Sequence, residues 1–193
     1  MKISHILILC TIFASGLGPV ACTQQPDSLS TLQADSNSSS KPEKKYEDLI
    51  VGFAQLGAES EWRAANTISI KETADKLDVE LRILDAQQKQ DNQVEAVRKL
   101  IIQKVDVIGI SPIVETGWSE VFKEAKAAGI PIILVDRRAV VPDDLYVTYL
   151  GSDFLEEGRK AARVMVKLVN GKANIVELVG TIDSAPANDR YTG

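Results

Sequence analysis

The sequence predicts an α/β fold, a doubly wound parallel sheet with helices on both faces. Three observations carry that prediction. Short apolar runs with no helical period recur between residues 49 and 179. Most are followed by a stretch in which apolar residues return every three or four positions, the spacing of a helix face. Two of the helical stretches stop at glycines, Gly129 and Gly171. Strands apolar at nearly every position need cover on both sides, which is what a parallel sheet between helical layers provides.

The elements follow in order. Leu49-Ile50-Val51-Gly52-Phe53-Ala54 reads as a strand, and residues 62–77 as a helix with Ala64, Thr67, Ile70, Ala74 and Leu77 on one face. Residues 79–84 give a second strand, followed by a helix over 91–103 that aligns Val94, Val97 and Ile101. A third strand over 105–110 leads to a helix over 119–128, stopped by Gly129 and Pro131. The fourth strand, 130–135, breaks the rhythm. Only ten residues separate it from the next run at 146–150, too few for the helical crossover that usually joins parallel strands. Alternation then resumes with a helix over 154–169, a strand over 174–179 and the start of another helix near the last residues, around Asp189 and Arg190.

Before residue 49 the chain is of a different kind. Lys2 and the apolar run of residues 6–13 form an export signal, shorter than the roughly 20 apolar residues that span a bilayer. The segment Pro19-Val20-Ala21-Cys22 resembles the lipobox of bacterial lipoproteins, which makes Cys22 the lipidation site. Pro19 stands where a large aliphatic residue is usual, and simple cleavage after Ala21 is the alternative. Residues 22–48, rich in Ser, Gln, Asp, Asn and Lys, read as a disordered tether. Residues 1–21 are thus signal, and the foldable part begins near residue 49.

Composition narrows the function. With 45% hydrophobic and 25% charged residues the chain is that of a globular protein, not a disordered, collagenous or polytopic membrane chain. The 22 Lys and Arg, one of them in the signal, face 27 Asp and Glu. An acidic surface argues against nucleic acid as partner, because phosphates need clustered cations. His5 and Cys10 leave with the signal, so the mature chain has one thiol and no histidine. That excludes an internal disulfide, a His base and a His/Cys metal set, and no cofactor is expected.

In open parallel sheets ligands bind at the carboxyl ends of the strands. Here those ends hold Gln55, then Asp85 with Gln87 and Gln88, Ser111, Asp136-Arg137, and Ser152-Asp153. Planar polar groups of this kind satisfy vicinal hydroxyls in pairs, and Trp62, opening the first helix, can cover the apolar face of a small polyhydroxylated ligand. Plainer readings stand beside these. Trp62 can be a core aromatic, Asp136-Arg137 a strand-end ion pair and Arg190 a solvated terminal residue. The Gln87 to Gln93 stretch reads as a polar loop with Asp91 or Asn92 capping a helix, and Trp118 as packing.

Several segments together resemble the sugar-binding proteins of bacterial ABC importers. They are Val51-Gly52-Phe53-Ala54-Gln55, Ala58-Glu59-Ser60-Glu61-Trp62-Arg63-Ala64-Ala65, Asp85-Ala86-Gln87-Gln88, Val105-Asp106-Val107-Ile108-Gly109-Ile110-Ser111-Pro112 and Ile130-Pro131-Ile132-Ile133-Leu134-Val135-Asp136-Arg137. The match is to the ribose/galactose-binding class and most closely to its galactofuranose-binding branch. The resemblance implies two Rossmann-like lobes joined by a hinge, residues 49–151 being the first lobe and 152–193 an incomplete start of the second. It implies a monosaccharide held between the lobes, delivery to an ABC permease, a monomer, and a place at the outer side of the cytoplasmic membrane. It assigns Trp62 to stacking on the sugar ring and Glu59 to a polar contact beside it. Asp136 and Arg137 bracket adjacent hydroxyls, Arg190 comes from the second lobe, and Arg63 is a further contact. Ser111 stands where ribose binders place an asparagine.

Three function classes compete. The first is solute capture for an importer. The second is a sensory module that presents a bound sugar to a membrane receptor. The third is a glycosidase using Asp85 and Asp136 as a carboxylate pair. An intracellular repressor is excluded by the signal and by the absence of a DNA-binding helix pair.

Overall fold

The computed structural model describes residues 44–193. The signal, Cys22 and the tether up to residue 43 lie outside the described residues. Residues 44–48, grouped with the tether by composition, form a 3-10 turn at Tyr46–Asp48, and Lys44 Nζ pairs with Asp106 at 2.6 Å.

Five strands form one sheet: β1 (Ile50–Gln55), β2 (Glu80–Asp85), β3 (Val107–Ile110), β4 (Ile132–Val135) and β5 (Thr148–Leu150). Their order is β2-β1-β3-β4-β5 and every pairing is parallel. The helices are α1 (Glu61–Lys76), α2 (Gln90–Ile102), α3 (Ser119–Ala127), α4 (Phe154–Leu168) and α5 (Ala185–Thr192). The doubly wound α/β class and its alternation are as the apolar periodicity predicts.

The strand order dictates the layers. From β1 the chain steps outward to β2, then back across β1 to β3. Right-handed crossovers in opposite directions put their helices on opposite faces, so α1 covers one side and α2 with α3 the other. The main core lies on the α2/α3 side. Val97 and Leu100 of α2, Phe122 of α3 and Ile108, Ile110 and Leu134 of the strands meet there, each 0 or 1% exposed. Trp118 packs in this core as expected, its Nε1 donating to Val114 O at 2.7 Å. Gly129, at φ 71°, takes the left-handed turn that ends α3.

Three expectations are corrected. The ten-residue connection after β4 does join parallel strands: a 3-10 turn, Asp143–Leu145, replaces the helix, and Ile133 pairs with Thr148. Residues 174–179 form no strand, because no neighbouring strand among the described residues runs beside them. Neither Asp91 nor Asn92 caps α2. The cap position is Lys89, without a side-chain bond, and Asn92 Nδ2 instead donates to Ala86 O at 3.1 Å.

Candidate functional site

The strand order reverses between β1 and β3, and the crevice outside their carboxyl ends is where this topology opens. Gln93 holds that point together. It is fully buried, donates to Ala54 O and Ser111 O at 2.9 and 2.8 Å, and accepts from Ile113 N. Gln55, polar at the end of β1, is spent internally on Asn66, Thr67 and Leu56 N.

Above this point lies a cavity of about 310 Å³, lined by Glu59, Ser60, Trp62, Arg63, Asp136, Arg137, Ser152, Phe154, Glu157, Pro186 and Arg190. Six of the seven residues singled out from sequence meet here. The seventh, Ser111, is fully buried behind the lining and accepts from Arg63 Nη1 at 3.1 Å.

Arg63 is the centre of the arrangement. Ser60 caps α1, its Oγ accepting from Arg63 N at 3.2 Å, and this directs the Arg63 side chain toward the strand ends. The guanidinium is 2% exposed. It donates to Asp136 Oδ2 at 2.8 Å, to Glu59 Oε1 at 3.3 Å and to Ser111. Its carbon also lies 4.7 Å from the ring centroid of Trp62, a cation–π contact. Trp62 itself is 56% exposed at the cavity wall, so it is not a core aromatic.

Asp136 sits at the centre of a three-residue turn, with φ 65° and Arg137 N donating to Val135 O at 2.7 Å. Asp136 N donates to Leu150 O, and the Tyr149 hydroxyl lies 2.9 Å from Asp136 O. Backbone in this sparsely populated region is held by its surroundings and turns the carboxylate toward the cavity. The adjacent Asp136-Arg137 pair is a loose ion pair without a hydrogen bond between the two side chains. Arg137 Nε stands 4.0 Å from Asp136, while Arg137 Nη2 is 3.6 Å from Glu59 and Nη1 donates to Ile113 O. Arg137 Nε is buried with no hydrogen-bond partner among the described residues. Burial, and then the neighbouring Arg63 charge, pull the Arg137 guanidinium below the usual arginine value, against Glu59 and Asp136. Burial likewise raises the Tyr149 phenol above its ordinary value.

The opposite wall comes from α4 and α5. Arg190 Nε donates to Glu157 Oε2 at 2.9 Å, and its guanidinium lies 4.5 Å from the Phe154 ring centroid. Phe154 and Glu157 were not foreseen. Phe154 does repeat the position of Trp62, an aromatic in the first turn of the helix that follows a strand end, and that repeat is visible in the sequence. The cavity therefore carries three carboxylates, three guanidiniums and two aromatic rings. Charge of both signs in balance suits a neutral ligand with many hydroxyls, which meets donors and acceptors without bringing an unpaired charge.

Asp85 is elsewhere. Its Oδ1 accepts from Gln87 N, and it lines a separate depression with Leu84, Gln87 and Asn92. β2 and β4 are three strand positions apart, about 14 Å at the usual spacing. Asp85 and Asp136 are thus too distant for the carboxylate pair of a glycosidase, which needs at most about 9.5 Å. Among the described residues no group of three or more His, Cys, Asp or Glu side chains is placed to hold a metal ion, and no helix is long and apolar enough to cross a membrane.

Comparison with known proteins finds relatives over the folded part of the chain. The family described as "Periplasmic binding protein domain" matches residues 51–193. The galactofuranose-binding protein YtfQ of Escherichia coli (strain K12) is 50% identical over 147 residues, 75% of this chain and 46% of that protein. The crystal structure of a galactofuranose binding protein superposes with a TM-score of 0.73 at 49% identity, covering 75% of this chain and 49% of that one. The periplasmic binding protein of the arabinose ABC transporter from Shewanella sp. ANA-3, bound to α- and β-L-arabinofuranose, gives 0.72 at 48% identity, covering 75% and 48%. The chain spans about half the length of the curated relatives it matches.

Proposed function

Since the chain belongs to the periplasmic binding protein family, we propose that it acts as the solute-binding component of an ABC sugar importer. It captures a neutral monosaccharide, galactofuranose or a related furanose, outside the cytoplasmic membrane. The observation that carries this reading is the cavity in which Glu59, Asp136 and Glu157 alternate with Arg63, Arg137 and Arg190 beside the exposed ring of Trp62.

Trp62 covers the apolar face of the sugar. Arg137 offers its Nε–H, which has no hydrogen-bond partner among the described residues, to a ligand oxygen. Arg63, held by Ser111, Glu59 and Asp136, fixes the carboxylates so that they accept from hydroxyls without reorganising. The protein binds and releases its ligand unchanged; no bond is made or broken. Residues 49–151 form the first lobe and residues 152–193 the beginning of the second, and closure of one on the other presents the filled shape to the permease. Residues 1–21 direct export. Cys22 carries the lipid, and residues 22–48 tether a monomer to the membrane.

Titration calorimetry against pentoses and hexoses tests the proposal. Extended with the portion carried by its relatives, the protein binds one furanose tightly, and Trp62→Ala weakens that binding at least about tenfold. An extended protein that binds no neutral monosaccharide overturns the proposal, and unchanged binding by Trp62→Ala removes the stacking role.

A further inference from the structure

One residue outside the cavity lining touches the helix that walls the cavity. It is Glu115, in the loop between β3 and α3, and that loop is fastened along its length. Four successive carbonyls, Ile113 to Thr116, accept in turn from Arg137, Trp118, Val140 and Gln90. Gln93 accepts from Ile113 N. The donors come from the stretch after β4, from the start of α3 and from α2, so Glu115 has a fixed place.

What Glu115 has left goes to the last helix. Its N–H donates to Asp183 O at 3.0 Å, and its carboxylate accepts from Asn188 Nδ2. Asp183 is held in the left-handed conformation, φ 59°, and Ser184 closes the same turn, its buried Oγ donating to Thr181 O at 2.8 Å. Ala187 N and Asn188 N donate to Ser184 O, so α5 starts from that turn. Among the described residues, these two bonds of Glu115 are the hydrogen bonds that join residues 181–193 to the sheet and its loops. Pro186 and Arg190 of the same helix line the cavity.

We propose that Glu115 is a positioning residue of the site. Without touching the cavity it ties α5, through Asp183 and Asn188, to the loop that also holds Arg137, and so keeps Arg190 and Pro186 in the wall facing Trp62. A wall in place for part of the time lowers the apparent affinity by that fraction. The effect on binding rests on the sugar-capture reading, whereas the fastening of α5 rests on the fold.

Two measurements make the test. One is hydrogen exchange at the Glu115 amide of the chain, followed by NMR. The other is titration calorimetry of the extended protein with D-galactose and L-arabinose, both of which hold a furanose form in water. Asn188→Asp sets a second carboxylate against that of Glu115, at an exposed position near the amino end of α5 where an aspartate is otherwise favoured. It is expected to speed exchange at Glu115 at least about tenfold and to weaken binding about tenfold. Adding Glu115→Gln supplies an amide that donates to the new carboxylate, and both values are expected to return to those of the parent. A helix merely destabilised by the aspartate would not recover on a change 73 positions away. The proposal is overturned if Asn188→Asp leaves exchange unchanged, or if the double variant is no better than the single one. Faster exchange with unaltered affinity overturns the positioning role. If the extended parent takes up neither sugar, the sugar reading falls, and the exchange rates of parent, single and double variant decide whether Glu115 fastens α5.

Discussion

Arg63 brings a positive charge to a place almost closed to water, and its neighbours explain why it tolerates that. Two carboxylates and a hydroxyl close around its three nitrogens, while the ring of Trp62 covers its face. Removing it leaves Asp136 and Glu59 facing each other with only Arg137 at longer range. Arg63→Met is therefore expected to destabilise the chain by about 3 kcal/mol, the scale for breaking a buried pair from one side. Trp62→Ala removes one cation–π contact from an exposed position and costs at most about 1 kcal/mol. Urea unfolding of the two variants checks the contrast, and equal stabilities would mean that the buried network contributes nothing. None of this was legible from spacing. Ser111 and Asp136 are 48 and 73 positions from Arg63, and only the folded sheet brings the strand ends within reach of one side chain. What the sequence did disclose was the rim, because topology alone places polar residues at the carboxyl ends of strands.

At the scale of elements, apolar periodicity located the strands and helices from β1 to α4 to within two residues at each end. It failed where an element depends on something outside itself. A strand needs a neighbour, and residues 174–179, apolar enough to be one, have none among the described residues. A crossover needs only to return the chain at the right height, so the 3-10 turn before β5 does what a helix does elsewhere. The contact of α5 with α4 depends on glycine at both of its tightest points, Gly158 on α4 and Gly193 at the end of α5. A Cβ at Gly158 would collide with the carbonyl oxygen of Arg190. Gly158→Ala is expected to lift α5 from α4, with a loss of about 1–3 kcal/mol, and to release Arg190 from Glu157. Amide hydrogen exchange across residues 185–192 reads this directly. Protection equal to the parent's would show that the two helices can separate without consequence for α5.

Across the whole molecule the two faces of the sheet are unequal. One carries two helices and a closed core, the other a single helix, α1, of which only Arg63 and Ala74 are buried. The cavity lies over the carboxyl edge, between a finished sheet and two helices whose outer sides are bare. That arrangement also divides the two tryptophans. Trp118 is sealed in the core beside Phe122, and Trp62 stands in solvent at the cavity wall against a guanidinium. The protein thus carries two optical labels that answer different questions. A soluble collisional quencher should extinguish the Trp62 emission and leave the bluer Trp118 emission until the chain unfolds. Anything that occupies the cavity should shield the first without touching the second, so one cuvette reports both whether the site is filled and whether the fold is intact.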